Sequence, residues 1–387
     1  MRSTRATAAV SALSALSATL AATPANAAEQ AEPQAPPATV RLLGETIVPH
    51  KLSFQGTTVG GLSGIDRDPC TGEYAMISDD RSYQDPARFY TARIDVDEAG
   101  VHDVRFTATH VLRQPDGTAF PSPAANDGKA IDPEEIRVDP RTCRYWWSQE
   151  GNRPKAATDP DPVIQPSIRV SDRAGGHLGN LPLPRNYGIS NDDRGPRRNL
   201  ALEAITFSDN GSTITSAVEG PLLEDGPEST TEHGSLARVT RQSRSGDIRD
   251  QFAYPLEPLF TTSDPTSQWS PDTGIPAILA HPDDKDRYLV LERTYVPGAG
   301  FKVRIFEADT GRASRVQNLG SLTDAPVRPM SKRLLTDLHD LPVSTVDNIE
   351  GMTWGPRLPS GERTLVLVSD DNFAAEEVTQ VIALAVR

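Results

Sequence analysis

Long apolar runs are what this 387-residue chain most clearly lacks. Outside an interrupted alanine-rich stretch near the start, no segment approaches 18 consecutive apolar residues, which excludes a membrane-spanning helix. Long segments with helical spacing are also few, so a helical domain has little to be built from. The seven histidines, at positions 50, 102, 110, 177, 233, 281 and 339, form no H-E-x-x-H motif and no paired spacing. There is no P-loop, no dinucleotide fingerprint and no R-H-G-x-R-x-P phosphatase signature. The run GGLSG (60–64) stops short of a nucleophile elbow, because Ile65 stands where G-x-S-x-G needs glycine. The strand-to-helix turn that an elbow requires is missing as well, which argues against a covalent Ser–His mechanism. Positive charge is scarce: 39 Lys and Arg face 53 Asp and Glu, a formal charge of −14. Such a surface repels nucleic acid and anionic lipid, and it repels a polyanionic substrate unless metal cations intervene.

What is present begins with an export signature. Arg2 and Arg5 precede an Ala/Ser/Leu run over 6–22 and an A-x-A site at Ala25-Asn26-Ala27. The expectation is a signal peptide over 1–27, a Pro/Ala-rich linker over 28–38 and a single domain over 39–387, secreted to the extracellular space. Cleavage would leave 360 residues, and loss of Arg2 and Arg5 would move the charge from −14 to −16.

The remainder is dominated by short β-type runs bounded by turn residues, with 33 Pro and 28 Gly in the chain. Five segments share one plan and start at residues 61, 133, 202, 275 and 349. Each is a short apolar strand, a turn rich in Asp, Pro, Gly or Asn, and a more apolar strand ending in acid. Room for two further strands follows each hairpin, as in RFYTARIDVD (88–97) and HDVRFTATHVL (102–112), or KVRIFEAD (302–309) and SRVQNLGSL (314–322). The last repeat retains only TQVIALAV (379–386), and TVRLLGETIV (39–48) from the chain start supplies its missing strand. The fold expected is all-β: a single five-bladed propeller of four-stranded blades closed by the chain's two ends, with six blades as the alternative. SKRLLTDLHDLP (331–342) has helical spacing and is expected to pack as a short outer helix. Cys70 and Cys143 fall in the same turn of neighbouring repeats, which predicts a disulfide between them in an exported protein.

Aligned first strands place Ser63, Glu134, Glu203, Pro276 and Glu350 in one column. Aligned second strands place Asp79, Glu150, Glu219, Glu292 and Asp370 together within one residue, with Asp80 and Asp371 adjacent. Blade repetition turns these acids towards a common axis. So many carboxylates cannot stay ionised together in a partly dry funnel without cations, and hard oxygen ligands in such number suit calcium. Arg81, Lys129, Arg153 and Arg293 lie near the acids, and Arg293 follows Glu292 in the blade whose first-strand acid is missing. The four tryptophans, Trp146, Trp147, Trp269 and Trp354, are too scattered to mark a binding face, and Trp146–Trp147 reads as core.

The stretches GGLSGID, ISDDRS, DPEEIRVD, NLALEAITFSDNG, AVEGPL, LVLERTY, NIEGMTW and VLVSDDNF resemble the phytase-like family, also called the esterase-like activity of phytase family, over roughly 57–386. The resemblance implies an exported propeller that hydrolyses esters, phosphomonoesters such as phytate among them. Within the matching stretches, Glu203, Glu350, Glu219 and Arg293 become candidate catalytic residues. Asp79, Asp80, Glu134, Glu135, Glu292, Asp370 and Asp371 become candidate ligands for calcium. The expected partner is a small-molecule ester or phosphate, with no nucleic acid and no membrane, acting on a monomer. A calcium-dependent lactonase and a non-catalytic ligand-binding propeller with structural calcium remain open beside this reading.

Overall fold

The computed structural model describes residues 39–387 apart from 157 and 191, so the expected signal peptide and the 28–38 linker lie outside the described residues. Five antiparallel sheets of four strands follow one another around a ring. From the inside outwards, blade 1 is Leu62–Arg67, Tyr74–Ser78, Arg88–Asp97 and Gly100–Val111. Blade 2 is Pro133–Val138, Tyr145–Gln149, Ser167–Ser171 and His177–Leu181. Blade 3 is Leu202–Ser208, Thr213–Val218, Leu236–Ser243 and Ile248–Pro255. Blade 4 is Asp272–Ala280, Arg287–Val296, Gly300–Asp309 and Ser331–Asp337. Blade 5 takes Ile349–Arg357, Arg363–Ser369 and Thr379–Val386 from the C-terminal part and Val40–Val48 from the N-terminal part. That last pair is antiparallel from Val40 opposite Val386 to Val48 opposite Thr379. The five-bladed reading and its closure hold, and there is no sixth sheet of this size among the described residues.

The apolar strand faces explain the ring. Each blade buries side chains against the next, and five clusters fill the five gaps. Val239, Phe252 and Tyr254 of blade 3 pack on Ile278, Tyr288 and Val290 of blade 4. Ile65, Met76 and Tyr90 of blade 1 pack on Val366, Val368 and Val381 of blade 5 across the closure. Trp146 and Trp147 are buried, each in a different inter-blade core, as their position in a second strand leads one to expect. A fully buried side chain of this kind contributes about 1.5–3 kcal/mol, so the closure is held by packing as well as by the strand ladder.

Two outer elements differ from expectation. Residues 314–322 are loop and turn, and the outer strand of blade 4 is Ser331–Asp337, where a helix was expected. The spacing of Leu334, Leu335, Leu338 and Leu341 arises from a strand running into a single 3-10 turn, Leu338–Asp340. Leu334 points to solvent, while Leu335, Leu338 and Leu341 meet the core between blades 4 and 5.

The Cys70–Cys143 disulfide is formed, with 6.3 Å between the Cα atoms. It joins the inner turns of blades 1 and 2, each stapled by an aspartate that accepts backbone N–H groups. Cys70 donates to Asp68 at 2.8 Å and Arg141 donates to Asp139 at 2.9 Å.

Arg137 closes the central channel. It rises from the inner strand of blade 2 and donates to the carbonyls of Ile65 (3.0 Å), Ile205 (2.8 Å), Ile278 (3.3 Å) and Met352 (2.9 Å). These four carbonyls occupy the same strand position in blades 1, 3, 4 and 5. Glu135 pairs with the Arg137 guanidinium, and both side chains are 2 % exposed. The funnel above this plug therefore has a floor.

Candidate functional site: an acidic propeller mouth

The column of first-strand acids has a backbone cause. In each of the five inner strands the ladder slips at the aligned position: between Leu62 and Gly64, Pro133 and Ile136, Leu202 and Ala204, Gly274 and Ala277, and Ile349 and Gly351. Such a bulge leaves a residue without a ladder partner and re-aims its side chain. Ser63, Glu134, Glu203 and Glu350 are the residues so released, and the three glutamates line one cavity.

The second column is fixed where each second strand ends. Its last backbone N–H reaches back to the residue before the inner strand: Asp79 to Gly61 (2.9 Å), Glu150 to Asp132 (2.9 Å), Glu219 to Ala201 (2.7 Å) and Asp370 to Asn348 (2.9 Å). In blade 4 the register-equivalent residue is Arg293, opposite Gly274. Four acids and one arginine thus form the upper ring, and all five line the cavity. Its volume is about 500 Å³, and its walls also carry Arg81, Asp132, Asp272, Trp269, Tyr295 and Asn348.

Arg293 is the hub of this ring. It donates to Glu219 (2.7 Å), Glu350 (2.8 Å) and the Asn348 side-chain Oδ1 (2.8 Å), and lies 3.5 Å from Asp272. Arg81, held at a left-handed φ of 55°, pairs with Asp132 at 3.1 Å. Ser63 donates to Glu134 at 3.0 Å. Glu203 is buried, and its carboxylate has no hydrogen-bond partner among the described residues. Two carboxylate triads have ligand atoms within 4.8 Å of one another: Asp132, Glu134 and Glu150, and Glu150, Glu203 and Glu219.

The structure brings Asp79, Glu134, Glu203, Glu219, Arg293, Glu350 and Asp370 together and places four other expected site residues elsewhere. Asp80 pairs with Arg88 and caps the loop through the N–H groups of Tyr83, Gln84 and Asp85. Glu135 sits below, against Arg137. Glu292 points outwards along its strand, accepting from Tyr254 (2.7 Å), the Glu257 N–H (3.1 Å) and Lys332. Asp371 accepts the Gly61 N–H at 2.9 Å, between blades 5 and 1. Each is a sequence neighbour of a mouth residue, and strand alternation sends neighbours to opposite sides. Of the cations noted beside the acids, Arg153 is spent on the carbonyls of Pro196, Ser190 and Arg194. Asp132 and Asp272 were missed. Asp132 occupies a position filled by Gly61, Ala201 and Asn348 in other blades, so no repeat marks it. Asp272 lies in a blade 4 strand that starts before the expected one.

Burial and mutual repulsion together push the mouth carboxylates up. Burial dominates for Glu203, and Glu219, Glu150 and Glu350 add to it. Glu134, Glu150, Asp79 and Asp370 rise well above their usual range for the same two reasons. Burial raises Asp132 to about 6 against the pull of Arg81. It raises Glu219 to about 8 against the pull of Arg293.

A sign follows for stability. Between the ordinary values of 3.8 and 4.5 and the raised values near 6 and 8, the folded chain binds more protons than the unfolded one. Stability in chelator is therefore expected to fall as pH rises from about 4 to 8, since the slope follows the difference in bound protons. Urea midpoints at pH 5 and pH 8 in chelator check this, and a midpoint that rises with pH would contradict it.

A family model described as "Phytase-like: Esterase-like activity of phytase" matches residues 57–373. No curated protein matches the chain. Among solved structures, a gluconolactonase from Xanthomonas campestris is 12% identical, with 84% of this chain and 86% of that chain covered at a TM-score of 0.33. A periplasmic gluconolactonase from Pseudomonas aeruginosa is 10% identical, with 88% and 93% covered at a TM-score of 0.37. A thermostable family-43 glycoside hydrolase is 12% identical, with 85% and 90% covered at a TM-score of 0.41. None of these likenesses bears on the chemistry.

Proposed function

The chain belongs to the phytase-like family, and from that premise we propose that it is an exported, metal-dependent hydrolase of small-molecule esters, acting as a monomer at the acidic mouth. The observation that carries this reading is the convergence of Glu203, Glu219 and Glu350 with Arg293 in one floored cavity.

Asp132, Glu134 and Glu150 would hold a calcium ion, because they offer three buried carboxylate oxygens within 4.8 Å of one another. When bound, the ion supplies positive charge that relieves the carboxylates' repulsion and polarises a substrate oxygen. The remaining work falls to the chain's own side chains. Arg293 keeps Glu219 and Glu350 oriented, and its charge favours the developing oxyanion. Glu203, buried and with a carboxylate that has no hydrogen-bond partner among the described residues, is the proton carrier. Ionised, it takes a proton from water as the water oxygen attacks the acyl carbon. The bond from that carbon to the alcohol oxygen then breaks, and the proton on Glu203 passes to the departing alkoxide. Acid and alcohol leave, and the carboxylate is restored.

The test is turnover of an aryl ester, a lactone and phosphomonoesters including phytate, each with calcium and with chelator. Ester turnover lost to chelator and restored by calcium is expected. Turnover confined to lactones would make the protein a calcium-dependent lactonase. A calcium-induced rise in Tm with no turnover of any substrate would replace the hydrolase with a ligand-binding propeller.

A further inference from the structure

One wall of the mouth differs from the rest. In blades 1, 2, 3 and 5 the second strand stops at the acid ring, and a loop of nine or more residues leads to the third. In blade 4 the second strand continues past Arg293 to Val296 and turns back within three residues into Gly300–Asp309. Blade 4 therefore stands above the ring. Its raised strands carry Tyr295 and Phe301 as a cross-strand pair with ring centroids 5.0 Å apart. Trp269, from the loop entering the blade, lines the same cavity and is 66% exposed. So large a side chain left that bare is not part of any inter-blade core.

The charge around this wall is predominantly acidic. Among the described residues, ten carboxylates line the cavity against two guanidinium groups, and no lysine does. Both arginines are already paired with acids. Asp272 stands opposite Tyr295 in the strand register; its Oδ1 makes no hydrogen bond among the described residues and lies 3.5 Å from the Arg293 guanidinium. Aromatic faces attract cations, most strongly tryptophan, and a surrounding negative field adds to that attraction.

Resting on the hydrolase reading, we propose that the blade 4 wall is a cation subsite and that the substrate is an ester bearing an ammonium group. The ammonium group lies against Trp269, Tyr295 and Phe301 beside Asp272, while the ester reaches Glu203 and Arg293. A polyanion such as phytate meets the opposite field and is the disfavoured substrate.

The experiment compares acetylcholine with its neutral isostere 3,3-dimethylbutyl acetate on the calcium-loaded protein. The expected ratio of kcat/KM, cationic over neutral, is about 3- to 30-fold. Trp269→Ala should bring the ratio towards one, Trp269→Phe should keep part of it, and Asp272→Asn should lower it. A neutral isostere that is as good or better overturns the proposal, and so does a ratio that Trp269→Ala leaves unchanged. Benzyl acetate preferred over both esters would also overturn it, in favour of plain ring stacking. Choline binding followed by calorimetry separates the two readings. If no ester turns over, saturable choline binding that Trp269→Ala weakens sustains the subsite while the hydrolase reading falls. No choline binding overturns the subsite itself.

Discussion

Arg137→Met is expected to lower the stability of the propeller by about 3–5 kcal/mol, the usual cost of breaking a buried ion pair from one side. The size follows from what the substitution leaves behind. Glu135 would remain buried with its counter-charge gone, and it is already pushed up to about 8 by burial despite Arg137. The carbonyls of Ile65, Ile205, Ile278 and Met352 would lose a buried donor. An unsatisfied buried acceptor costs about 1–3 kcal/mol, although a water entering the channel would recover part of that. Arg137→Met combined with Glu135→Gln should recover some of the loss, because the uncompensated charge is gone. Urea unfolding of the two variants beside the wild type measures both effects. A single variant within about 1 kcal/mol of wild type would show that the plug does not hold the blades together.

How far the sequence discloses this molecule depends on repetition. The inner hairpins recur at near-constant intervals, so their strands, the ring count and the pairing of Cys70 with Cys143 can all be read from spacing. The first-strand column is legible for the same reason: Glu134, Glu203 and Glu350 share a position. Which of two adjacent acids faces inwards is not legible, because the answer lies in a one-residue bulge. Glu134 is released into the cavity while Glu135 turns to Arg137. In the upper ring, Arg293 and not Glu292 occupies the equivalent of Asp79, Glu150, Glu219 and Asp370. Features that occur once leave no periodic trace. Arg137 shares its strand position with Asp66, Thr206, Leu279 and Thr353, none of them a cation. The raised wall of blade 4 depends on a short hairpin turn that looks like any other surface turn. Outer strands carry the weakest pattern, which is why Ser331–Asp337 reads as a helix.

Glu203→Gln separates catalysis from architecture. In the hydrolase, loss of the proton carrier is expected to reduce kcat/KM by about 10²- to 10⁴-fold, the usual contribution of a general acid–base group. The same change should not weaken the fold. Glu203 has no hydrogen-bond partner to lose among the described residues, and its charge is opposed by burial and by Glu219, Glu150 and Glu350. A neutral amide of the same shape removes that opposition, so the variant measured in chelator at pH 8 should be as stable as wild type or more so. As pH falls and the raised Glu203 carboxyl takes up its proton, the difference should shrink. Glu350→Gln behaves otherwise, because its carboxylate accepts from Arg293 and Asn348. That variant is expected to lose both activity and stability, leaving Arg293 short of a partner. A residue that lowers activity while raising stability is one the fold tolerates for its chemistry. Kinetics within a few-fold of wild type for Glu203→Gln would remove it from the reaction, and a large loss of stability at pH 8 would make it a structural acid instead.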